Sequence, residues 1–346
     1  MAYTDIDKPS DYFDTKLYTG NAGTLNVTGL DFQPDWVWIK NRTSDYTHGL
    51  YDSVRGAGSS KGIYSNTSEA EGTNSAFQNL TSFNSDGFSL GSTSNTNVIN
   101  TNSQNHVSWN WVAGTSFTND ASATGIGSID STGSVNTDAG FSIVSYSGNS
   151  TAGATIAHGL GATPKMMIVR KRNSAENWLV YHASTGNTGA TLLNGTNAFF
   201  QDDMWNSTSP TSSVFTVHGG AGANASGGTY IAYCFTDVKG YSKFSSYIGN
   251  GNADGAFVYT GFKSAFVMIK KTSGTGNWCL FDNKRGVNGA MIQLNPDVNN
   301  ADNTSNYIDF LSNGFKCRNT ASDKNASGGS YIYMAFAENP FVTSTG

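Results

Sequence analysis

The chain has 346 residues, enough for two or three ordinary domains, yet only 13% are charged and 40 are glycine. With 16 Tyr and 20 Phe it holds too much apolar bulk for a disordered segment. A net charge of −5, with 20 basic residues that form no run, excludes an electrostatic nucleic-acid footprint. No stretch approaches the roughly 20 apolar residues needed to span a bilayer, so membrane insertion is not expected.

The opening "MAYTDIDKPSDYFD" has no basic-then-apolar leader, and synthesis and folding in a cytoplasm are expected. Next come "YTGNAG" (18–23) and "GLDFQPDWVWIKNR" (29–42). "WVWIKN" is a short β-branched and aromatic run that predicts a strand. "LYDSVRG" (50–56) sets Asp52 three residues before Arg55, and "NSAFQNL" (74–80) contributes Phe77. "SDGFSLGS" (85–92) and "HVSWNWVAG" (106–114) close a first unit, 1–115. Residues 116–139 are polar, nearly uncharged and rich in Gly, Ser and Thr, the composition of a linker.

The second unit, 140–239, runs through "YSGNS" (146–150), "KMMIVRKRNSAENWLVYH" (165–182), "QDDMWNSTSP" (201–210) and "NASGGTYIAYCFTD" (224–237). The third, 240–346, repeats that order with "YIGNG" (247–251), "AFVMIKKTSGTGNWCLFD" (265–282) and "NASGGSYIYMAFAE" (325–338). Order and spacing hold when 241–341 is laid over 140–240, and the first unit follows the same plan with more drift. The chain is therefore a three-fold repeat of units of about 100 residues, too long for solenoid repeats, so that each is a domain or most of one. "NASGG" reads as a turn into the last strand, where Gly supplies positive φ. The second and third units join directly through "DVKGYSKF" (237–244) and are expected to pack as a rigid pair. No window carries a helical stripe. Short aromatic strands with frequent turn signals predict an all-β fold of three tandem antiparallel β-sandwich, jelly-roll-like units.

The search for chemistry yields no catalytic or metal site. His48, His106, His158, His182 and His218 show no metal-ligand or triad spacing, and His158 beside Gly159 reads as a turn residue. Cys234, Cys279 and Cys317 are too widely spaced for a disulfide framework or a zinc site and read as small core residues. Asp52 with Arg55, and Asp282 with Arg285, read as turn salt bridges. The middle unit has "VYHASTG" (180–186), lacking both partners. "NGNADG" (250–255) opens like a calcium loop, but Gly261 at its twelfth position supplies no carboxylate. Trp178 and Trp278 recur at matched positions and read as core. Aromatics peculiar to one unit, Trp205 and Phe77, are the ligand-contact candidates, because loops that differ between similar units are where binding is written. No cofactor is implied.

The segments "GFSIVSYSGN" (140–149), "HGLGATPKMMIVRKR" (158–172), "FVYTGFKSAFVMIKK" (257–271) and "YIYMAFAENPF" (331–341), with the opening "DYFDTKLYTGN" (11–21), resemble the repeated β-domain virion proteins of tailed, mainly marine, bacteriophages. Many of those are labelled only as tail-fibre or uncharacterised domains. The resemblance covers essentially the whole chain and carries no catalytic residues with it. It implies a non-enzymatic virion structural protein, made in the bacterial cytoplasm, partnered by other virion proteins and acting as a tail-associated fibre or spike adhesin for a host glycan or protein receptor. A ligand-free capsid decoration or head fibre, and a tail-borne carbohydrate-binding or depolymerising protein, are the alternatives. By analogy with phage fibres a homotrimer is favoured. The chain has no heptad run or collagen-like triplet, which favours a compact knob over a long shaft.

Overall fold

The computed structural model describes residues 4–73, 79–92, 98–286, 291–305 and 307–340, and among them the fold is all-β and antiparallel. The first repeat supplies β1 (Phe13–Thr19), β2 (Leu25–Val27), β3 (Trp36–Asn41), β4 (Gly49–Asp52), β5 (Leu80–Asn84), β6 (Gly87–Leu90) and β7 (Asn105–Trp111). β8 (Thr115–Asn119), a four-residue helix α1 (Ala121–Thr124) and β9 (Ser131–Asn136) follow. The second repeat begins with β10 (Phe141–Ser147), β11 (Ala154–Ala157), β12 (Met166–Lys171) and β13 (Leu179–His182). It continues with β14 (Gly186–Leu192), β15 (Phe200–Gln201), β16 (Val214–Val217), α2 (Ala221–Asn224) and β17 (Thr229–Phe235). The third holds β18 (Ser242–Ile248), β19 (Phe257–Tyr259), β20 (Phe262–Lys271), β21 (Cys279–Asp282), β22 (Ile308–Leu311), β23 (Gly314–Cys317), α3 (Ser322–Asn325) and β24 (Ser330–Pro340).

One strand order occurs three times: β1-β7-β3-β4, β10-β17-β12-β13 and β18-β24-β20-β21. Each four-strand ladder is accompanied by a smaller one, β2-β6-β5, β11-β16 and β19-β23-β22. The registers fix which residues correspond. Trp36 pairs with Trp111 and Asp52, Met166 with Phe235 and His182, Phe266 with Phe336 and Asp282.

Alternate residues of β3, β12 and β20 enter different cores, as a pleated strand requires. Val37 and Ile39 join the apolar cluster shared with Val27, Leu80, Phe88 and Leu90 of the smaller ladder, while Trp36 and Trp38 enter a central cluster. The second repeat divides Met167 and Val169 from Met166 and Ile168 in the same way, and the third divides Val267 and Ile269 from Phe266 and Met268. The central cluster thus holds residues from all three repeats. Within it Trp36 stacks on Tyr233 with ring centroids 4.4 Å apart, Trp111 meets Phe336 at 5.7 Å and Phe235 meets Phe336 at 6.1 Å. Burial on both faces is why these strands read as continuous apolar runs.

The stretch expected to be a linker, 116–139, is folded structure. β8 pairs with β9 and β9 with β10, so two added strands cover the outer edge of the second repeat's large sheet. Its Ser/Thr-rich composition suits an edge ladder, where Ser116, Thr118 and Thr132 face water while the backbone supplies the bonds. Asp120 caps α1 by accepting from the Ser122 and Ala123 amides, and Gly125 ends it in the left-handed conformation.

"NASGG" has a reason beyond the turn. Asn224 and Asn325 are fully buried, and each accepts from a hairpin amide, Asn149 or Asn250, at 2.9 and 3.0 Å. Each donates back to a carbonyl of that hairpin, Thr151 or Asn252. Asn100 does the same for the first repeat, accepting from Asn21 and donating to Gly23, although the phrase itself has drifted away.

Candidate functional site

The residues that look chemically able line the contacts between repeats. Asp52 and Arg55 form an ion pair at 2.5 Å and Asp282 and Arg285 one at 2.6 Å, all four side chains fully buried. Each acid also accepts a bond from the neighbouring repeat: Tyr233 Oη donates to Asp52 at 2.7 Å, and Trp109 Nε1 donates to Asp282 at 2.9 Å. At the third corresponding contact the donor position is Met334, which has no proton to give. The acid is absent there, and the Nε2 of His182 lies 3.2 Å from the Tyr333 carbonyl. The departure of "VYHASTG" from the other two repeats follows from this: a buried carboxylate without a donor and an arginine would cost several kcal/mol.

The remaining contacts run the same way round, from second to first, first to third and third to second. Trp178 donates to the Tyr64 carbonyl at 2.8 Å, Trp278 to that of Leu192 at 2.7 Å, and His48, which stands at the matching position, meets the Asn295 carbonyl at 2.9 Å. Arg172 reaches Glu71 at 2.6 Å and Arg42 reaches Asp302 at 2.8 Å. Lys40 donates to the Asn299 carbonyl at 2.9 Å and Arg170 to that of Glu69. Burial pushes the Lys40 ammonium down to about 7, the Lys270 ammonium to about 8 and the Arg170 guanidinium to about 10. Apart from Lys270, whose ammonium donates to the Gly276 carbonyl of its own repeat, these groups hold three repeats in a closed ring, and all are buried or largely buried.

The cysteines are buried, unpaired thiols. His158 lies just past the end of β11 and is buried, with Nε2 3.2 Å from the Thr211 carbonyl and Nδ1 accepting from the Leu160 amide. Asp254 of "NGNADG" pairs with Lys316 at 2.5 Å. Among the described residues no cluster of His, Cys, Asp and Glu has the geometry to hold a metal ion.

Of the two proposed contact residues, Phe77 lies outside the described residues. Trp205 is fully buried: its indole donates to the Gly189 carbonyl at 3.0 Å and its ring meets Tyr181 edge-on at 5.8 Å. It offers no face to a ligand. Its place in the fold is that of an anchor, because the loop it fastens walls a groove of about 610 Å³ on the second repeat. Leu192, Phe200 and Met204 supply an apolar floor, and Glu176, Asp202 and His218 stand on the lining. The loop is further held by bonds from the Met204 amide to Asp202 and from the His218 amide to Met204. An apolar floor with a few polar groups at its edge is the make-up of a ligand site. The signal for it in the sequence was the repeat-specific "QDDMWNSTSP"; the exposed members are its neighbours, not the tryptophan.

No helix among the described residues is long and apolar enough to cross a membrane. No curated protein matches this chain. One family does, over residues 8–340, and its description is a domain of unknown function. Nearly the whole described fold lies within that match, and the chain belongs to the family of unknown function DUF7483.

Proposed function

We propose that the chain is a non-enzymatic structural protein of a phage particle, exposed on its surface, and that it contacts the host through its outward loops. In this reading each repeat is an antiparallel, jelly-roll-like β-sandwich whose larger and smaller sheets enclose one core, and the three units close round a common centre. The observation that carries the reading is how the side chains are deployed. Asp52, Arg55, Asp282, Arg285, Lys40, Arg170, Lys270 and four of the five histidines are buried, most of them in contacts that join repeats. Much of what faces water is small and polar, and a loop peculiar to the second repeat walls a groove lined partly by apolar side chains. Such a molecule is a rigid display frame. The resemblance noted in the sequence supports a position for such a frame on a virion, beside other virion proteins.

The test is labelling of purified particles of a phage that encodes the chain with gold-conjugated antibodies raised against it. Gold at the tail tip or on appendages is expected, together with reduced phage adsorption when free chain is added to cells. Gold spread over the head, with no competition for adsorption, would replace the adhesin by a decoration protein. Unlabelled particles would overturn the virion reading.

A further inference from the structure

The third repeat carries a second feature that the groove does not account for. Phe257 and Tyr259 on β19 are 47% and 55% exposed, among the most exposed large apolar side chains described. They stand two apart on one strand, so they share a face, with about 7 Å between successive positions on it. Directly opposite residues of an antiparallel ladder also share a face. Phe257 pairs with Lys316 and Lys316 with Asp309, while Tyr259 pairs with Gly314. The intervening Val258 and Phe315 point the other way, into the core.

The other repeats provide an internal control. Val27 and Val258 oppose Phe88 and Phe315 in corresponding ladders, which sets Asn26 and Thr28 where the third repeat has Phe257 and Tyr259. Ile156 opposes Phe215 in the second repeat, where the same positions are Thr155 and Ala157. The fold therefore does not require aromatics here. Nor is Phe257 needed to shield the glycine that its ring leans over: Cε2 lies 3.2 Å from where a Gly314 Cβ would be, but Gly87 holds the matching place in the first repeat beside Asn26.

We propose that this face binds a neutral glycan chain, with Phe257 and Tyr259 as stacking platforms for the apolar faces of successive sugar rings. Two features favour a sugar over a charged polymer or a purely apolar partner. The charged side chains beside the rings balance, Lys316 and Arg318 against Asp254 and Asp309, and are already paired with one another at 2.5 Å for Lys316–Asp254 and 3.0 Å for Arg318–Asp309. Such a network offers donors and acceptors side by side, which suits hydroxyl groups that do both and gives no net field to attract a polyanion or polycation. Flat aromatic faces add apolar contact area at little entropic cost. The inference stands whether or not the chain belongs to a particle.

The test is native electrophoresis of the full chain through gels containing dextran, mannan or hydroxyethylcellulose, with alginate as the anionic control. Retardation by at least one neutral polysaccharide is expected. A double variant, Phe257→Asn with Tyr259→Thr, copies residues that the first repeat already carries at this register, and is expected to weaken retention at least about tenfold, or roughly 1.4 kcal/mol, while melting like the parent. The converse pair, Asn26→Phe with Thr28→Tyr, is expected to strengthen retention by giving the first repeat the same platform. Passage unretarded through every neutral gel, retention by alginate alone, or retention unchanged in the Phe257/Tyr259 variant would overturn the proposal. So would a variant that abolishes self-association of the chain without altering its glycan retention, since the face would then be a contact between proteins.

Discussion

At the scale of the residue, four of the five histidines are structural. Burial drives the imidazoles of His106, His158 and His182 down to about 4, and that of His48 well below its ordinary value. His48 shows the cost: Nδ1 accepts from Trp38 at 2.9 Å and Nε2 faces the Asn295 carbonyl, so a second proton has no acceptor. These groups bind protons in the unfolded chain, below about pH 6.5, that they refuse in the native one. Their stabilisation is thus full above that pH and is lost as pH falls towards 4, at about 1.4 kcal/mol per pH unit for each histidine fully engaged. Asp297 acts oppositely. Burial raises its carboxyl to about 7, so the native chain holds its proton longer and stability declines as pH rises from about 4 to 7. Four groups outweigh one, and the urea midpoint is expected to fall between pH 7 and pH 5. His48→Trp, which installs the residue that the other two repeats carry, is expected to flatten that slope by about one proton. An unchanged slope would mean that His48 does not titrate as its surroundings dictate.

At the scale of the element, strand β9 turns on one glycine. A Cβ at Gly133 would lie 2.1 Å from the Ile143 carbonyl oxygen and 2.7 Å from Cε1 of Phe117. The ladder β8-β9-β10 closes only because nothing is there. Gly133→Ala is therefore expected to destabilise by about 1–3 kcal/mol through overpacking, and to let elastase cut within 115–136 under conditions where the parent resists. Equal resistance in the two proteins would show that β8 and β9 are not held by this contact. The segment also marks where sequence reading failed. Its alternation is carried by two partly buried side chains, Phe117 and Val135, among Ser and Thr, so the period-2 signal nearly vanishes and composition alone suggests a linker. The inner strands β3, β12 and β20 were legible for the opposite reason, since burial on both faces writes a nearly unbroken apolar run. The groove was half legible: the loop stood out by differing between repeats, but burial is decided by tertiary packing, and so the most conspicuous residue, Trp205, proved to be its anchor. Phe257 and Tyr259 gave no sequence signal apart from a strand's ordinary aromatics, because their exposure depends on which face of β19 meets the core.

At the scale of the whole molecule, three corresponding sheets turn one face each into a single core, and this decides how the chain must unfold. Taken alone, the first repeat would expose Trp36, Trp38, Trp109 and Trp111, all essentially buried in the intact chain. At about 150–250 Å² each and about 25 cal/mol per Å², that exposure forfeits roughly 15–25 kcal/mol, an upper estimate that still exceeds the 5–15 kcal/mol by which a domain is normally stable. The ring contacts add buried carboxylates whose partners are divided between repeats: Asp282 pairs with Arg285 of its own repeat and accepts from Trp109 of the first. Three corresponding sheets already meet within one chain, and sedimentation is expected to give the mass of a monomer; the mass of three chains would instead support the homotrimer favoured by analogy with phage fibres. Calorimetry is expected to show one transition, with calorimetric and van't Hoff enthalpies in agreement. Residues 241–340 expressed alone are expected to lack a cooperative melt. Successive transitions, or a third repeat that folds by itself, would mean that the apolar clusters beside the smaller ladders carry the stability and that the central cluster is only an interface between independently folding units.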